Sequence, residues 1–154
     1  MMTIKNVFSS IVCALMLAGL SVVAQAQDAP YRMSDKDVQK AMKQLKKDTE
    51  KFRKSLDSSL DRSRLNGTNQ EDRINDFLHD YEKATERLYD RFKDNKSVAA
   101  DVETVLDGAA RIDQFMRRHS PTGRAERDWS AVRGDLRRLA EAYNVTWRWW
   151  SVEG

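Results

Sequence analysis

Residues 125–154 read AERDWSAVRGDLRRLAEAYNVTWRWWSVEG, and this stretch decides the fold. Ala125, Trp129, Val132, Leu136, Leu139 and Tyr143 recur every three or four residues, which places them on one stripe of an α-helix. Beyond Tyr143 the period shortens to two. Val145, Trp147 and Trp149 alternate with Thr146 and Arg148, and Trp150 follows. All four tryptophans of the chain lie here, so this helix offers the heaviest apolar stripe against which other segments can pack.

Three such segments precede it. Ser34, with Asp37 three residues on, forms a capping pattern. Val38, Met42, Leu45, Thr49, Phe52, Leu56 and Leu60 then make a stripe whose one polar member is Thr49. That helix is expected to end near Arg64, with Asn66-Gly67 as the turn. Thr68 and Glu71 form a second capping box ahead of Ile74, Phe77, Leu78, Tyr81, Thr85, Leu88 and Phe92. Ser97 is read as the cap of a third helix carrying Val98, Val102, Val105, Ala109, Ile112 and Met116, and Ser120-Pro121 as the start of the fourth, with Thr122 an alternative cap. No segment alternates like a strand. The spacing predicts an all-α chain, an antiparallel four-helix bundle running up-down-up-down, over residues 34–144. A long helical hairpin that completes its core by dimerising is the other arrangement this pattern allows, so monomer and homodimer both stay open.

The start of the chain has a different character. Lys5 is followed by an almost wholly apolar run, Val7 to Val23, and then by Ala24-Gln25-Ala26. This is the pattern of a secretory signal peptide over residues 1–26, cleaved after Ala26, with a short polar segment at 27–33. The short leader is of bacterial type and implies a periplasmic or secreted protein with no transmembrane helix in the mature chain. The one cysteine, Cys13, lies within the leader, so the mature chain holds no disulfide and no thiolate site. Loss of Lys5 with the leader leaves a charge about one below the full-chain +3, too balanced for a dedicated nucleic-acid binder.

Chemistry-bearing patterns are few. His79 points away from its helix's stripe, beside Glu82, Lys83 and Glu86, and reads as a surface residue rather than a metal ligand. There is no haem-attachment motif, no Glu-x-x-His pair and no Gly-rich phosphate loop. Asp107–Arg111 and Asp113–Arg117 read as i,i+4 pairs on a solvated face, and no two carboxylates stand apart as an acid/base pair. The expectation is therefore a non-enzyme with no cofactor and no metal.

Two features go beyond a generic bundle. Lys36, Lys40, Lys43, Lys47, Lys51 and Lys54 recur at three and four residues opposite the Val38–Phe52 stripe, forming a lysine ridge on the first helix. Such a ridge suits contact with an anionic envelope surface or an acidic protein partner. Over residues 145–154, Trp147, Arg148, Trp149 and Trp150 suit either a strap folded across the helix ends or a membrane-interface contact. Of the two, the strap is the preferred reading.

Three stretches, Leu60 to Thr68, Ala110 to Arg118 and Leu139 to Trp149, resemble a group of small exported bacterial helical proteins to which no function is assigned. The resemblance implies export and an all-helical fold and supplies no catalytic residues. The expected function is binding to envelope or protein partners. The alternative is a bundle that holds a small molecule among the aromatics Phe52, Phe77, Tyr81, Phe92 and Trp129.

Overall fold

A computed structural model describes residues 33–146 of the chain. The leader at 1–26, most of the segment at 27–33, and Trp147, Arg148, Trp149 and Trp150 lie outside the described residues. Four α-helices follow in order: α1 (Asp35–Leu60), α2 (Asn69–Lys93), α3 (Ala99–His119) and α4 (Gly123–Ala142). Among the described residues there is no strand.

Local chemistry sets most of the helix ends. Ser34 Oγ accepts the Asp37 N–H at 3.2 Å and donates to Asp37 Oδ2 at 2.6 Å, closing the cap of α1. At α2 the Thr68 hydroxyl accepts the Glu71 N–H and donates to the Leu65 carbonyl, while Glu71 Oε2 accepts the Gly67 N–H at 2.6 Å. Gly67 has φ 71°, a left-handed geometry that a side chain would strain. After α2 and α4, Asn95 and Asn144 take the same left-handed conformation. The N–H groups of Lys96 and Val145 then bond to the carbonyls of Arg91 and Ala140, a Schellman closure in both cases.

Three expected boundaries differ. The first helix stops at Leu60, and residues 61–67 form turns rather than continuing to Arg64. Ser97 does not cap α3. Val98 occupies that position; its hydrocarbon side chain is buried in the core and has no group with which to cap. Ser120 likewise ends α3 in a left-handed conformation instead of starting α4, which begins after Thr122.

The helices pack as a closed ring of neighbours. α1 lies against α2 and α4, α2 against α3, and α3 against α4, while the diagonal pairs stay apart. Every predicted stripe residue of α1, α3 and α4 is buried. In α2, Leu78, Tyr81, Thr85 and Leu88 are buried, but Ile74, Phe77 and Phe92 are only half-buried. Phe52 of α1 and Trp129 of α4 pack ring to ring at 4.9 Å. Gly108 of α3 allows α2 close: a Cβ there would stand 2.7 Å from Cδ2 of Tyr81.

Candidate functional site

The outer face of α1 has two charge environments. On the flank facing α2, Lys46 pairs with Glu86 at 3.1 Å and Arg53 with Glu82 at 2.6 Å. On the outermost line all six ridge lysines are exposed. Lys51 and Lys54 are tied within the helix, to Asp48 at 2.9 Å and Glu50 at 2.6 Å. Lys36, Lys40, Lys43 and Lys47 have no acid partner among the described residues. Three turns of helix therefore present four uncompensated ammonium groups on one line.

On the other flank of α1 the structure brings together two carboxyls that the sequence pattern left unconnected. Asp48 and Asp135 of α4 face one another, 8 % and 4 % exposed. Gln44 Nε2 donates to Asp48 Oδ2 at 2.8 Å and Lys51 Nζ to Asp48 Oδ1 at 2.9 Å. Asp135 Oδ1 accepts a longer bond from Arg138, 3.4 Å, and the buried Asp135 Oδ2 receives no N–H. Two carboxylates so placed repel one another when both are ionised, which favours a proton on one of them. Burial would raise the Asp48 pKa, but the bonds from Gln44 and Lys51 outweigh it and hold this carboxyl below its ordinary range. Burial, reinforced by the charge of Asp48, pushes Asp135 up to about 7. Below about pH 7 the pair thus carries one proton, on Asp135. It sits at the wall of an open cleft of about 580 Å³ between α1 and α4, which Lys40 and Gly134 also line. Among the described residues no group of three or more His, Cys, Asp or Glu could hold a metal ion.

Asp48 and Asp135 were discernible in part. Asp48 lies three residues after Leu45 and Asp135 three after Val132, so both fall beside their stripes at helical spacing. Asp113 corrects a second expectation. Rather than lying on a solvated face, it is 2 % exposed, accepts the Trp129 Nε1–H at 2.9 Å and the Arg117 Nε–H at 2.8 Å, and has Arg133 within 3.6 Å. It therefore pins α3 to α4. Asp107 and Arg111 form no ion pair among the described residues; the Arg111 side chain instead lines a groove between α2 and α3.

His79 is exposed, with Nδ1 3.9 Å from Glu82. Phe52, Tyr81 and Trp129 belong to one buried core cluster, and Phe77 and Phe92 are partly buried against it. Phe52 and Trp129 fill the core between α1 and α4, Phe77 lines the α2–α3 groove, and the Tyr81 hydroxyl is buried without a hydrogen-bond partner, so burial raises its pKa.

No family model, curated protein or solved structure matches the chain.

Proposed function

We propose that this chain is an exported, non-enzymatic helical bundle that acts by binding, and that the lysine face of α1 is its contact with an anionic envelope surface. The observation that carries the proposal is the contrast along α1. Lys46 and Arg53 are neutralised by α2, whereas Lys36, Lys40, Lys43 and Lys47 face solvent with no acid partner among the described residues. A basic group near an anionic lipid surface is worth about 1 kcal/mol, so four acting together correspond to roughly a thousandfold in affinity. No helix among the described residues is long and apolar enough to cross a membrane.

The bundle is taken as up-down-up-down. Cross-helix pairs support that topology: Lys46–Glu86 and Arg53–Glu82 run in opposite chain directions along α1 and α2, and Ser59–Thr122 with Asp48–Asp135 does so along α1 and α4. Export rests on the Lys5-to-Ala26 leader pattern and on the resemblance to exported bacterial proteins. The experiment is co-sedimentation with vesicles containing phosphatidylglycerol, set against purely zwitterionic vesicles. Wild-type protein should sediment with the anionic vesicles only, and the quadruple variant Lys36→Gln, Lys40→Gln, Lys43→Gln, Lys47→Gln should stay in solution with an unchanged melting temperature. Equal sedimentation of the two proteins would remove the proposal.

A further inference from the structure

We infer that the groove between α2 and α3 is a binding site for a single-chain anionic amphiphile, a fatty acid whose chain lies on the apolar floor and whose carboxylate is held by Arg73 and Arg111. The groove follows from the sizes of the facing side chains. Where Gly108 meets Tyr81, the missing Cβ lets the helices approach. About one turn away the side chains on both helices are large, and a groove of about 250 Å³ opens over Ile74, Phe77, Ile112 and Phe115. Ile74, Phe77 and Phe115 are only half-buried, although Ile74 and Phe77 belong to a stripe that should be wholly internal. These side chains give the groove an apolar floor that a hydrocarbon chain could cover.

Charge selects the occupant. Arg73 and Arg111 line the same groove, no acid lines it, and neither arginine has an ion-pair or hydrogen-bond partner among the described residues. Asp107, at i−4 from Arg111, is the expected mate and does not take it. Two unrelieved guanidiniums at the edge of an apolar floor complement a ligand with a hydrocarbon body and one planar anionic end, because guanidinium and carboxylate match in fork geometry. The basic character continues beyond the groove. Phe115 is shared with a neighbouring pocket lined by Arg64 and Arg118, again with no acid. This site is separate from the lysine face of α1, and the two can fail independently.

The test is isothermal titration of the protein with submicellar dodecanoate. Saturable binding of one equivalent is expected, with dodecanol and acetate each binding at least tenfold more weakly. The double variant Arg73→Gln, Arg111→Gln should lose tenfold or more in affinity while melting as the wild type does, since both side chains are exposed. The variant Lys36→Gln, Lys40→Gln, Lys43→Gln, Lys47→Gln should bind dodecanoate normally. A second readout needs no substitution: the ¹³C methyl resonances of Ile74 and Ile112 should shift as dodecanoate is added. Absence of saturable binding, equal binding of dodecanol, undiminished binding by the arginine variant, or binding that leaves both isoleucine methyls unmoved would each overturn the proposal.

Discussion

Replacing Asp135 with asparagine isolates the proton shared across the α1–α4 cleft. Asparagine keeps the shape of a protonated carboxyl and cannot ionise. In the wild type the Asp135 pKa is raised from 3.8 to about 7, burial being the main cause and the Asp48 charge the next. Between those values the native state holds a proton that the unfolded chain has released. Stability must therefore fall as pH rises through that window, and the whole penalty is present above about 7. At about 1.4 kcal/mol per pH unit, the full interval gives an upper limit of about 4 kcal/mol. The pair lines an open cleft, with Lys51 and Arg138 close by, so water and these cations screen it and roughly half should survive, about 2 kcal/mol. For a domain of this size that corresponds to about 6–10 °C. Thermal melts followed by circular dichroism at pH 5 and pH 8 supply the assay. Part of the penalty is already present at pH 5, and only about 60 % of it accrues between the two conditions, so the wild type should melt lower at pH 8 by about 4–6 °C, and Asp135→Asn should remove most of the difference by gaining stability at pH 8. A variant as pH-dependent as the wild type would refute the shared proton.

Other perturbations test the packing. Gly108→Ala should cost about 1–3 kcal/mol in a chemical denaturation curve, because its Cβ would meet the Tyr81 ring at 2.7 Å and the ring is enclosed. Val105→Asp should leave no cooperative melt, since it places an unpaired carboxylate at a fully buried position, at a cost comparable to the stability of a whole domain. Asp113→Ala should lower stability by about 2–3 kcal/mol, measured by the same denaturation curve, through loss of the buried acceptor that Trp129 and Arg117 share.

The stripes were legible because burial in helices repeats with the backbone period. Val38 to Leu60, Val98 to Met116 and Ala125 to Tyr143 are buried as their spacing requires. The capping boxes at Ser34 and Thr68 were equally readable, since each is a local pattern of four residues. Features that depend on inter-helix register were not. Asp48, Asp113 and Asp135 look like solvated acids until a second helix supplies Asp135, Trp129 or Asp48 as a neighbour. The same holds for the half-exposed Ile74 and Phe77. Their stripe is regular, and only the large side chains facing them from α3 keep that end of the α2–α3 seam open. The lysine ridge was legible as a line of charge, yet which lysines remain unpaired depended on where Asp48 and Glu50 placed their carboxylates.

The most direct test of lysine-face binding is a residue-by-residue map. Amide chemical shifts of ¹⁵N-labelled protein, followed as bicelles containing phosphatidylglycerol are added, report which surface meets the lipid. The largest changes should fall on Lys36, Lys40, Lys43 and Lys47 and should fade as salt is raised, because the contact is electrostatic. Changes centred elsewhere on the chain, or changes on α1 that persist in high salt, would contradict the assignment of this face as the binding surface.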